Sequence, residues 1–180
     1  MKAWSDPHWT AEARSKVIAA LDSDPELGRP LFAALLGDAV WAGHLPGLLN
    51  PVTVAQVALA RLFPQEGKAA ESITRQATML LAIATAGQGV PETALLEDPV
   101  LEWLTGGSRL PDHDVEALQR RLRQLGGLPA AGRTGPVKPD FLAGLFVLER
   151  ILRLPAPRRG DAARRIVSLA WKQGADAGEF

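Results

Sequence analysis

A chain of 180 residues with 47% hydrophobic and 22% charged side chains and zero formal net charge is too apolar for disorder and long enough to bury a core without staples. The absence of cysteine excludes disulfides, thiolate metal sites and thiol nucleophiles. The longest greasy run, Met79 to Ala86, is far too short to span a bilayer, and the opening Met1-Lys2-Ala3-Trp4 lacks the apolar segment of a secretory leader, so a soluble, cytoplasmic protein without membrane contact is expected.

In chain order, the clearest local signal is a recurring helix start, an Asx residue followed by proline, at Asp6-Pro7, Asp24-Pro25, Asn50-Pro51 and Asp98-Pro99. The first helix is predicted over residues 7–22, with Ala13, Val17, Ala20 and Leu21 on one stripe. The second starts near Pro25 or Pro30 and runs through Phe32, Leu35, Leu36, Ala39 and Val40 to about Gly43. The third, about 51–63, places Val54, Val57, Ala58 and Leu62 on a buried face and ends at Pro64. The fourth, about 68–86, carries Ile73, Ala77, Leu80, Leu81 and Ala84, stops at Gly87 and Gly89, and is expected to be the central helix. Its junction with the third reads as an ordinary αα-hairpin rather than a DNA-reading helix-turn-helix, because Leu62 stands where that turn wants a small residue.

Short helices follow near 91–96 and 99–105, then an amphipathic one at about 112–125. There Val115, Leu118, Leu122 and Leu125 form the apolar stripe and Glu116, Arg120 and Arg123 look outward. Asp112 is expected as its N-cap. The Gly- and Pro-rich stretch 126–139 is the expected mobile loop. Two last helices are predicted, about 139–154 with Phe141, Leu145, Leu148 and Leu152 on one line, and about 161–173, preceded by Arg158 and Arg159. No run of alternation is long enough for a convincing strand. The expected fold is therefore all-α, an irregular or orthogonal bundle of about seven or eight helices in one domain over 1–180, with 108–111 as the place to subdivide it.

Three short matches between the halves raise a tandem duplication into two pseudo-repeated helical units: Gly43 to Pro46 with Gly126 to Pro129, Pro51-Val52 with Pro136-Val137, and Gly67 to Ile73 with Gly160 to Ile166. The offset between matched positions drifts, which a true repeat would not do without an insertion. Charge is also uneven. Residues 1–108 carry 7 Lys+Arg against 12 Asp+Glu, and residues 109–180 carry 13 against 8. This marks either an anion-binding surface or two halves that attract each other. Arginine supplies 15 of the 20 basic residues and Ala, Leu, Gly and Pro abound, a composition that suggests a GC-rich bacterial source.

No pattern of catalysis emerges. His8, His44 and His113 stand in separate segments, so no metal-ligand pair shares a helix face, and Asp112-His113-Asp114 reads as a helix start. Phosphate-binding glycine loops and nucleophile elbows are absent. Catalytic residues, metal and cofactor are therefore all expected to be none. The sharpest positive feature is basic: Arg158, Arg159, Arg164, Arg165 and Lys172, with Arg120 and Arg123 joining if the helices lie side by side. No aromatic interleaves that stripe, which argues against single-strand stacking. Trp41, Trp103 and Trp171 sit near helix ends, where an indole is buried while its N–H finds a partner. Trp4 and Trp9 either clamp the N-terminal segment down or present it to a partner protein. The expected function is a non-enzymatic interaction or regulatory protein acting through protein contacts. The alternative is a nucleic-acid-binding protein using the arginine-rich C-terminal face.

Overall fold

A computed structural model describes residues 10–23, 30–41, 50–63, 68–125, 132–138 and 140–176. Among them the chain is all-α, with nine helices: α1 (Ala11–Ser23), α2 (Pro30–Trp41), α3 (Pro51–Leu62), α4 (Lys68–Ala86), α5 (Glu92–Leu95), α6 (Asp98–Thr105), α7 (Asp112–Leu125), α8 (Asp140–Leu152) and α9 (Ala156–Asp176). Two compact units result, residues 1–64 and 65–180. The stretch 108–111 falls inside the second. The matched segments 43–46 and 126–129 lie outside the described residues.

In the first unit Val17, Phe32, Leu36, Val40 and Val54 form the core, with Ala13, Ala20, Leu21 and Leu35 partly buried against it. These are the stripes that helical spacing requires. Thr10 opens α1, its Oγ1 accepting from the Ala13 N–H at 3.1 Å. Asn50 caps α3 reciprocally: its side chain accepts from the Thr53 N–H at 2.9 Å while Thr53 Oγ1 accepts from the Asn50 N–H at 2.7 Å. The Asp6-Pro7 and Asp24-Pro25 starts lie outside the described residues, and at Asp98-Pro99 the cap position falls to Glu97, without a side-chain hydrogen bond. Leu62, expected in the buried face of α3, is 55% exposed. It has the right angle but sits at the helix terminus, and burial needs a facing surface as well as an angle.

In the second unit α4 is the axis, packed against α7, α8 and α9. Every residue from Ala77 to Thr85 is buried; all but two are apolar, and the Thr78 and Thr85 hydroxyls donate to Arg75 O at 2.9 Å and Leu81 O at 2.6 Å, as a helix enclosed on all sides requires. It ends in a Schellman turn, with the Gly89 N–H donating to Ala84 O at 2.8 Å and the Gln88 N–H to Thr85 O at 3.2 Å. Gln88 holds the left-handed position at φ 52°, which glycine usually fills. Gly87 is required by close approach, since a Cβ there would stand 2.9 Å from Val90 Cγ2 and 3.3 Å from Ala170 Cα.

Several expectations are corrected here. Part of the supposed mobile loop is pinned: β2 (Arg133–Thr134) pairs antiparallel with β1 (Val90–Pro91), Thr134 and Val137 are buried, and the Val137 N–H donates to Thr85 Oγ1 at 3.2 Å. A two-residue pairing leaves no alternation to read, because tertiary approach alone sets it. Asp112 is the first helical residue of α7 rather than its cap, since Pro111 O accepts from the Asp114 and Val115 N–H groups. α9 begins five residues earlier than expected, so Arg158 and Arg159 lie within it; Pro157 is tolerated there because first-turn N–H groups have no helical acceptor. Trp171, expected to bury its indole, is 68% exposed.

Candidate binding surfaces

The outward line of α8 is partly exposed. Leu142, Ala143 and Phe146 are buried, whereas Phe141, Leu148 and Leu152 are 41%, 50% and 50% exposed and Leu145 is half-buried. At about 100° per residue Phe141, Leu145, Leu148 and Leu152 fall within an arc of about 60° whose centre lies about 130° from Phe146. Their spacing, alternately four and three residues, is the seam of a left-handed helix pair. Gly144 adjoins the seam, and a Cβ there would meet nothing within 4 Å, so another backbone can approach closely. Such a face stands out because singly scattered exposed apolar residues are ordinary, whereas an aligned row is a contact surface.

The expected basic residues stand in different surroundings. Arg123 is committed to structure: its Nε donates to Glu92 Oε1 at 2.9 Å and its Nη2 to Oε2 at 2.7 Å, while Gln119 Nε2 donates to Oε2 at 3.0 Å. This fork holds the buried Glu92 carboxyl below its ordinary pKa and the Arg123 guanidinium above its own. Arg159 is half-buried and donates to Leu154 O at 2.9 Å. Arg165 pairs with Asp161 at 3.1 Å and lies over the Trp103 ring at 5.9 Å from its centroid. Arg120, Arg158, Arg164 and Lys172 are exposed. Arg158, Arg165 and Lys172, seven residues apart, share one flank of α9, and Arg164 turns away from them. Trp4 and Trp9 lie outside the described residues.

Two clefts lie within the second unit, on either side of the α6 sequence. One, of about 300 Å³, gathers the carboxylates Asp98, Glu102, Asp112 and Glu116 with Arg109 among its lining. The other, of about 400 Å³, gathers Arg75, Arg153 and Arg158 with Trp103 and Ser72, and no carboxylate is among its described lining residues. Sequence alone does not join Arg75 to the other two, because it lies on α4, far from them along the chain; the placement of α4 against α8 and α9 brings the three to one cleft. Despite the acidic cleft, no three His, Asp or Glu side chains among the described residues are placed to share a metal ion. His113 is exposed, its Nε2 3.4 Å from Asp114 Oδ1. Nor, among the described residues, is any helix long and apolar enough to cross a membrane.

No protein-family model, curated protein or solved structure matches the chain.

Proposed function

We propose that this chain is a non-enzymatic helical interaction protein that binds a partner protein through the outward face of α8. The observation that carries the reading is the row Phe141, Leu145, Leu148 and Leu152, displayed opposite the buried face of the same helix. Covering the half-exposed leucines supplies about 1 kcal/mol each from the apolar area removed from water. The seam spacing and the open approach at Gly144 fit an amphipathic helix of the partner, laid along α8 with its own apolar residues between these four. A regulatory role follows from occupancy of such a face, because the same chain with the face covered or bare presents two different surfaces.

The test is a tagged chain purified from its source cells beside a Leu148→Lys/Leu152→Lys variant. The reading expects one protein to accompany the parent chain in fixed stoichiometry and to be lost with the variant, while both chains unfold at the same urea concentration. Turnover of a substrate by the purified chain, or a companion retained by the variant, refutes it.

The nucleic-acid alternative has one observation in its favour, the alignment of Arg158, Arg165 and Lys172 along a flank of α9. It requires binding to DNA or RNA that weakens steeply with salt and is lost when Arg165 and Lys172 are replaced by glutamate.

A further inference from the structure

The arginine-lined cleft, with no carboxylate among its described lining residues, has the composition of a ligand site. Arg75 from the polar face of α4, Arg153 just past α8 and Arg158 in the first turn of α9 all line it. Arg75 and Arg158 are exposed and have no ion pair among the described residues. Arg153 has only a long contact, 3.7 Å, to Glu149, which it shares with Arg150. Three arginines thus line one cleft with only that one long carboxylate contact among the described residues, and an anion with several oxygens is what arginine forks bind, two oxygens at a time.

The rest of the lining narrows the anion. Ser72, Gln76 and the Trp103 indole add neutral donors, and none of the three side chains forms a hydrogen bond among the described residues. Met79, Leu104 and Leu154 add an apolar wall. The volume, about 400 Å³, falls within the range of small-molecule sites. It exceeds what a lone inorganic ion needs.

We infer that this cleft binds a small organic phosphate, its phosphoryl oxygens on Arg75, Arg153 and Arg158 and its carbon skeleton against Met79, Leu104 and Leu154. The site is independent of the α8 face and goes beyond the interaction reading. It needs no covalent chemistry; it is a recognition site, and α8 and α9 both end at it, so occupancy ties together the two helices nearest the proposed docking row.

The experiment is isothermal titration of the full chain at low salt with three phosphorylated probes, AMP, glucose 6-phosphate and pyrophosphate, and with adenosine and glucose as phosphate-free controls. A mixed-sequence single-stranded oligonucleotide is titrated in parallel. The inference expects at least one organic phosphate to bind at least about tenfold more tightly than its control. Arg75→Ser and Arg158→Ser, both exposed positions that should fold normally, are each expected to weaken that binding by about tenfold or more, from the loss of one charge-assisted contact. Arg164→Ser, on another part of α9, should leave it unchanged. Absence of heat from both organic phosphates overturns the inference. So does binding that Arg75→Ser and Arg158→Ser leave intact, binding by pyrophosphate alone, or binding by the oligonucleotide alone, the last of which would favour the nucleic-acid reading instead.

Discussion

Helices α4 and α8 are both rich in apolar residues, yet one is covered on every side and the other on one side only. Along α4 the run from Ala77 to Thr85 is wholly buried by α7, α8, α9 and their connections. Along α8 Leu142, Ala143 and Phe146 are buried, and the opposite row is not. An apolar circumference in α4 is explained by the fold itself. The same circumference in α8 exceeds what the fold uses, and the excess, four residues in seam spacing, is what a partner would use.

That contrast can be broken most sharply at the buried face. Phe146→Ala removes a side chain with no exposed surface and should cost about 3–5 kcal/mol of stability in urea unfolding; a cost below about 1 kcal/mol would mean α8 is not held by that face. Next in size is Gly87→Ala at the end of α4, where the added methyl meets Val90 and the backbone of Ala170. It should cost about 1–3 kcal/mol, with a matching fall in the urea midpoint. Its counterpart Gly144→Ala, in the open row of α8, should instead stabilise by about 0.5–1 kcal/mol through helix propensity alone. A destabilising Gly144→Ala would show that the row is covered.

Glu92 gives a smaller effect of a different kind. Its carboxyl is held below the ordinary value of 4.5 chiefly by the hydrogen bonds from Arg123. The pair therefore contributes stability that is present above the ordinary carboxylate range and is lost as pH falls through the lowered folded value. Because the Arg123 side chain is 56% exposed, solvent screens the pair and keeps its contribution small. Glu92→Gln should lower stability slightly at neutral pH and flatten the acid limb of a stability profile, since the neutral amide has no proton to take up. Small too is the effect of Leu148→Lys/Leu152→Lys, no more than about 1 kcal/mol, because both side chains already stand half in water and lysine keeps an apolar stem and suits the last turns of a helix.

How much of this was legible in the sequence follows from what each feature depends on. The bounds of α4 and α7 fall where they are expected, since a clean 3.6 period and the glycines that follow each helix are local signals. The inward stripe of the first unit was readable for the same reason. The line of α8 was also visible, but periodicity finds a row without saying whether anything faces it. The neglected signal was width: Leu142, Ala143 and Phe146 together with the outer four make an apolar surface too broad for one buried stripe. The basic residues show the reverse. Their adjacency in sequence suggested one surface, but helical angle separated Arg164 from Arg165, Glu92 claimed Arg123, and Leu154 O claimed Arg159. Nor does the division of charge between the chain's halves describe the clefts. The acidic one takes Asp98 and Glu102 from the first half and Asp112 and Glu116 from the second. Arg75 joined Arg153 and Arg158 only through packing of distant segments, which no local pattern encodes.

The most direct test of the outward row is to place a photo-crosslinking side chain at Leu148 in the source cells, with the same group at Ser168, an exposed polar position on α9, as the control. The account predicts one discrete adduct with another protein from position 148 and none from 168. No adduct at 148, the same adducts at both positions, or an adduct of the chain only with itself would contradict it.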